Sequence, residues 1–130
     1  MSDIDEIQHT LAQYALVHDR LDLEGYSALF AEEGRYVSRN VTHDGRAAIR
    51  EFIATVYAKR SADHRMKHLY ANAVIDIHDA DTANVTSDFI AYERMGADGA
   101  WQINMIAQCV DTLVKRDGRW LFLERRIVPA

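Results

Sequence analysis

The sequence predicts an α+β fold, with helices from the first half of the chain packed on one face of a curved antiparallel sheet built from the second half. Three observations predict it. Apolar residues recur at three- and four-residue steps up to about Lys59, the spacing changes to strict alternation from His68, and short turns rich in Asp and Gly separate four alternating runs.

The elements follow in order. Ile4, Ile7, Leu11, Tyr14, Ala15 and His18 form one stripe, so residues 3–19 read as an amphipathic helix with Asp3 as N-cap and Glu6 three residues on. A second short helix is expected over 23–32, capped by Asp22, turning Leu23, Tyr26, Leu29 and Phe30 inward and stopping at Gly34. Residues 35–42 read as a short strand pair. Asp44-Gly45-Arg46 then leads into a third helix, whose stripe of Ile49, Phe52, Ile53 and Val56 ends near Lys59, and the polar residues 61–67 read as loop.

From His68, the set Leu69, Ala71, Ala73, Ile75 and Ile77 alternates with His68, Tyr70, Asn72, Val74 and Asp76, which describes a long strand. Turns at 78–81, 96–99 and 117–118 separate it from three further strands over 82–94, 101–116 and 119–128, a four-stranded meander. No repeat, linker or low-complexity tract interrupts this order, and residues 1–130 are expected to form one domain.

Composition narrows the partners. Fifteen Lys and Arg against 20 Asp and Glu leave a net charge of −5, and the basic residues are scattered, the densest group (Lys59, Arg60, Arg65, Lys67) reading as a solvated face. Nucleic acid is not an expected partner. No apolar run approaches the roughly 18 residues that span a bilayer, so no membrane partner is expected. The lone Cys109 has no disulfide partner, and Asp3, Asp5 and Glu6 stand where a secretory signal has basic residues, which makes the cytoplasm the expected location. A sheet this large leaves one face uncovered by the helices. Apolar residues fall on both of its faces, Trp101, Ile103 and Met105 against Ile106 and Val110, so a homo-oligomer, trimer or dimer, is expected.

Candidate chemistry lies where polar or titratable residues turn inward, because burying them costs energy unless they are paired or used. Tyr14 and His18 lie on the apolar stripe of the first helix, Asp19 sits at its edge, and His68 opens the first long strand on a face with Tyr70 and Asn72. An imidazole with a carboxylate partner is a general base suited to neutral pH, and a nearby phenol can protonate or hydrogen-bond an oxygen. The pattern alone leaves open whether Asp19 or His18 would partner His68. His64 and His68 lack the Glu of a zinc-protease helix, and no metal site is expected. Cys109 reads as a small core residue. The sequence contains no GxGxxG, P-loop or GxSxG, so no nucleotide cofactor and no serine hydrolase chemistry is indicated. His43 and His78 fall in expected turns and read as solvated.

The phrases "IQHTLAQYALVHDRLDLEGYSALFAEEGRYV", "DGRAAIREFI", "KHLYANAVIDI" and "DTLVKRDGRWLFLERRI", in that order, resemble the SnoaL-like branch of the nuclear transport factor 2-like superfamily. The resemblance covers nearly the whole chain. It implies a cone-shaped α+β barrel of the cystatin-like type, a strongly curved sheet wrapping a helix-capped cavity whose open end admits the ligand. Family members such as scytalone dehydratase, bile acid 7α-dehydratase and hexachlorocyclohexane dehydrochlorinase share an Asp at the end of the first helix and a His at the start of the first long strand. Asp19 and His68 stand at those positions, and Tyr14 matches a Tyr five residues before that Asp in the bile acid enzyme.

The resemblance therefore implies a cofactor-free lyase, a dehydratase-like enzyme acting on a hydrophobic cyclic or aromatic small molecule. His68 and Asp19 serve as base and Tyr14 as acid or hydrogen-bond donor, while Asn72, Tyr26 and His18 are candidate substrate contacts. No His follows His78 to match the second histidine of scytalone dehydratase, which leaves the acid role to Tyr14. Two alternatives compete. A ketosteroid-isomerase-like enzyme places its aspartate base where this chain has Tyr36, Val37 and Ser38, and the β subunits of aromatic-ring-hydroxylating dioxygenases share the closing "RDGRW" style of hairpin without catalysing a reaction.

Overall fold

A computed structural model describes residues 1–130. The elements run α1 (Asp3–Asp19), α2 (Leu23–Ala28), β1 (Phe30–Ser38), β2 (Val41–Asp44), α3 (Arg46–Ala58), β3 (His64–Ile77), β4 (Thr82–Met95), β5 (Gln102–Arg116) and β6 (Arg119–Pro129). The strands make one sheet in the order β2-β1-β6-β5-β4-β3. The four long strands form the expected meander, and β1 joins it by pairing parallel to β6, the one parallel contact in the sheet. The sheet curves without closing, so β2 and β3 are its edges.

The helices lie on the inner face. Ile7, Leu11 and Tyr14 of α1, Tyr26 of α2 and Ile49 and Ile53 of α3 pack with Phe30, Val85, Leu113, Trp120 and Phe122 in one buried core. Each buried side chain of this size removes roughly 1.5–3 kcal/mol worth of apolar surface from water, which is what holds the helices on the sheet. Polar ties fix the angles. Thr10 Oγ1 donates to the Trp120 carbonyl at 3.2 Å, and the Arg46 guanidinium donates to the Phe30 carbonyl through Nε at 2.9 Å and Nη2 at 2.6 Å.

Five expectations are corrected. The N-cap of α1 is Ser2, in a capping box with Asp5, while Asp3 reaches across to Lys115 Nζ and Trp120 Nε1, each at 3.0 Å. The second helix ends at Ala28 rather than residue 32, because the chain enters β1 at once. Gly34 lies inside β1, where a Cβ would come within 2.8 Å of the Ala31 carbonyl oxygen and 3.1 Å of that of Phe122, so its role is close backbone approach rather than helix capping. Strand β3 begins at His64, four residues before the alternation, since His64 to Lys67 pair with Tyr92 to Met95 despite their polar character.

The fifth correction bears on the site. Between Ala71 and Val74 the β3–β4 register gains one residue on β3, and Asn72 adopts φ 55°. This bulge inverts the alternation, so Tyr70 packs inward before it and Ala73 and Ile75 pack inward after it, while Asn72 is exposed. A second bulge at Leu123 does the same in β6, where Trp120 and Phe122 are buried and then Arg125 is.

Candidate active site

Asp19 is the last residue of α1, where the helix dipole is unfavourable to a carboxylate, so it depends on donors supplied from elsewhere. Those come from β3. Asp19 Oδ1 accepts from His68 Nδ1 at 2.7 Å and from the His68 backbone N–H at 2.9 Å, and Lys67 Nζ lies 3.3 Å from Oδ2. His68 is 6% exposed and Asp19 only partly so. The carboxylate, not His18, is thus the hydrogen-bonding partner of His68. With Nδ1 donating to Asp19, the neutral ring carries its lone pair on Nε2, which makes no hydrogen bond within the chain. Burial lowers the His68 pKa from its usual value, with the hydrogen bond and charge of Asp19 opposing that shift and the Arg60 and Arg125 charges adding to it.

His18 stacks on His68 with ring centroids 4.2 Å apart and shares a 2.8 Å hydrogen bond between Nδ1 and the Tyr57 hydroxyl. Burial first, and then the neighbouring His68, push its pKa well below the ordinary value, so at neutral pH it is an uncharged ring against the base. Tyr14 lies one turn earlier on the same helix face. Its hydroxyl is hydrogen-bonded to that of Tyr26, and burial holds both phenols protonated well beyond the usual range. The guanidinium carbon of Arg125 sits 4.2 Å from the centre of the Tyr14 ring and 4.3 Å from that of Tyr70.

These groups meet at a cavity of about 420 Å³. Tyr14, His18, His68 and Tyr70 line one side of it, and Phe52, Val56, Phe89 and Ile127 give it apolar walls. Tyr26 is fully buried behind Tyr14 and does not reach the cavity. Asn72 is not brought to it either. It stands on the outer side of the β3 bulge with Nδ2 donating to Asp88 Oδ2 at 2.7 Å, and its expected substrate contact is corrected accordingly. His64 pairs with Glu93 at 3.0 Å, and no group of three His, Cys, Asp or Glu side chains is arranged to hold a metal ion.

Other cavity residues were not expected from the sequence. His43, read there as a solvated turn residue, lies on β2 and stacks on Phe52 with centroids 3.9 Å apart. Arg39 and Arg60 also line the cavity. Beneath its floor Arg125 and Asp111, both fully buried and opposite each other on β6 and β5, face one another at 3.5 Å between Nε and Oδ1. Burial pushes the Asp111 carboxyl up to about 6 against the pull of Arg125. The alternation of β5 does place Asp111 inward beside Cys109 and Leu113, a signal that was available, whereas the Leu123 bulge hides Arg125 from such a reading.

A family model for the SnoaL-like domain matches residues 1–126. Among solved structures, the chain is similar to Rv3472 of Mycobacterium tuberculosis, a protein of unknown function, at 28% identity and a TM-score of 0.85, covering 96% of this chain and 74% of that one. A candidate scytalone dehydratase from Novosphingobium aromaticivorans matches at 26% identity and 0.83, covering 96% and 82%. A nuclear transport factor 2-like protein with a cystatin-like fold from the same organism matches at 24% and 0.83, covering 96% and 80%, a likeness of fold. No curated protein matches the sequence.

Proposed function

Because this chain belongs to the SnoaL-like domain family, we propose that it is a cofactor-independent lyase that eliminates a leaving group, water in the dehydratase case, from a hydrophobic cyclic small molecule. The fold hosts several activities and does not decide among them. The observation that carries the reading is the Asp19–His68 pair, whose unbonded Nε2 belongs to a residue lining a mostly apolar cavity. The candidate scytalone dehydratase among the structural relatives supports it.

In the proposed reaction Nε2 of His68 takes a proton from a carbon acidified by an adjacent carbonyl or aromatic ring, and that C–H electron pair becomes the new double bond as the leaving group departs. Asp19 stabilises the imidazolium that forms. Tyr26 donates its hydroxyl proton to the Tyr14 oxygen, which frees the Tyr14 O–H to hydrogen-bond the carbonyl or protonate the departing oxygen. Neutral His18 fills the face of His68 without a competing charge. Cavities of several hundred cubic ångströms suit small ring compounds.

Against the isomerase alternative, Tyr36 and Ser38 line the cavity at the positions of its aspartate base, and no carboxylate lines it at all. The assembly-subunit alternative makes a different prediction, the absence of turnover by the isolated chain. No helix is long and apolar enough to cross a membrane. We place the enzyme in the cytoplasm, with Cys109 free and buried, and as a dimer or trimer of this chain through the outer sheet face, where Ile106 and Val110 are exposed.

The test is turnover of hydroxylated polycyclic and steroid-like carbonyl compounds by the purified chain without added metal or nucleotide, followed as new conjugation by ultraviolet absorbance. Turnover lost in folded His68→Ala is expected. Turnover that survives the substitution overturns the proposed site, and a chain inert across the panel favours the assembly reading.

A further inference from the structure

Every charged or ionisable side chain on the cavity wall, the tyrosines apart, is basic: Arg39, Arg60, His18, His43 and His68 reach it, and no Asp or Glu does, in a chain whose acidic residues outnumber Lys and Arg by 20 to 15. Asp19 does not line the cavity; it bonds His68 and shares a neighbouring hollow with Arg60. Arg60 follows the end of α3 and is half-buried, and Arg39 lies in the β1–β2 turn. Neither makes a side-chain hydrogen bond or salt bridge, whereas Arg35, Arg50 and Arg116 pair with carboxylates and Arg46 with a backbone carbonyl. Arg60 also borders a second hollow, shared with Asp19, Arg20, His64 and Arg65, in which the basic side chains outnumber the one carboxylate.

Burial takes hydration from the Arg60 guanidinium and outweighs what the nearby Tyr57 and Asp19 return, since no carboxylate is hydrogen-bonded to it. Its planar fork matches the two oxygens of a carboxylate, and the pairing strengthens where apolar walls exclude water. Phe52 and Val56, on the helix that precedes Arg60, supply such walls. We propose that the substrate is a ring compound bearing a carboxylate, that Arg60 binds this carboxylate, and that Arg39 supplies a second positive charge at the mouth. The carboxylate takes no part in bond breaking. It fixes which edge of the ring meets His68. This inference rests on the lyase reading only in taking the cavity as the substrate site.

Naphthalene carboxylate and naphthalene carboxamide have nearly the same shape and differ in charge, so calorimetric titration of both into the full-length chain reads the anion contribution directly. The carboxylate is expected to bind about tenfold or more tightly than the amide, with a preference that shrinks as salt rises. Arg60→Gln is expected to remove most of that preference while leaving amide binding in place, and Arg60→Lys to keep part of it. Equal binding of the two probes, binding of neither, or a preference untouched by Arg60→Gln overturns the proposal. The two readings fail separately: an Arg60-dependent carboxylate preference in a chain without lyase turnover sinks the lyase alone, and turnover of uncharged rings without that preference sinks this inference alone.

Discussion

One oxygen of Asp19 accepts two hydrogen bonds from His68, the ring Nδ1–H at 2.7 Å and the backbone N–H at 2.9 Å, although the residues are 49 apart in sequence. The backbone bond holds the carboxylate where the ring bond needs it, so the end of α1 and the start of β3 set the tautomer together. Asp19→Asn preserves an acceptor but removes the charge that raises the His68 pKa. The His68 titration, followed by NMR, is expected to move to lower pH in this variant. Turnover should fall less than in His68→Gln, for which a loss of about 10²–10⁴ in kcat is expected. An unchanged His68 titration counts against the electrostatic role given to Asp19.

The stacked imidazoles make stability depend on pH. Burial lowers the pKa of both His18 and His68 below the unfolded value of 6.5, so the folded state prefers both rings neutral. Their contribution is complete above about pH 6.5 and declines as pH falls from there through the folded values, since the unfolded chain binds more protons. Asp111 works in the opposite sense, its raised pKa of about 6 favouring the folded state as it protonates. The informative quantity is therefore the difference between the wild type and His18→Gln. The urea midpoint is expected to drop less between about pH 7.5 and 5.5 in the variant than in the wild type. Equal drops count against His18 as a group held neutral by burial.

Much of this architecture is written in local periodicity. The stripe through Ile7, Leu11 and Tyr14 places α1 on the sheet and sets Tyr14 and His18 on one face, and the alternation in β4 and β5 places Val85, Phe89, Cys109 and Leu113 inward. The meeting of Asp19 with His68 is not local, and only the family resemblance suggested it. Two of the misplaced residues share one physical origin, since a single extra residue in a strand inverts every later side chain. That inversion carries Asn72 away from the cavity and brings Arg125 under it. His43 was lost for another reason: β2 is a four-residue edge strand whose pattern is too short to show that it stacks on Phe52.

The β3 bulge can be tested through its backbone. Asn72 has φ 55°, a conformation that Asn tolerates, Gly adopts freely and a β-branched residue resists. Asn72→Val is expected to lower stability by about 1–2 kcal/mol in urea unfolding. Asn72→Gly is expected to cost less, losing mainly the exposed bond to Asp88. The order Gly above Val is the diagnostic, because side-chain removal alone ranks them the other way in a regular strand, where Val is preferred.

Arg125 and Asp111 are both fully buried, and neither side chain has a hydrogen bond within the chain. Two buried charges that lean on each other this way are costly to separate and cheap to remove together. Arg125→Met leaves the Asp111 carboxyl alone in the core, and Asp111→Leu leaves the guanidinium with only the faces of Tyr14, Tyr70 and Phe122. Each single substitution is expected to cost about 3–5 kcal/mol. The double variant should lose far less than the sum, which a double-mutant cycle in urea measures as a coupling of at least about 2 kcal/mol. The Arg125→Met arm should also soften a pH dependence. With the cation gone, nothing opposes the effect of burial on Asp111, its pKa rises above about 6, and the carboxyl stays protonated to higher pH. The penalty of Arg125→Met should consequently be smaller at pH 5 than at pH 8, since the protonated acid needs no partner. A penalty independent of pH, or singles that simply add, shows the two groups to be packing units rather than an ion pair.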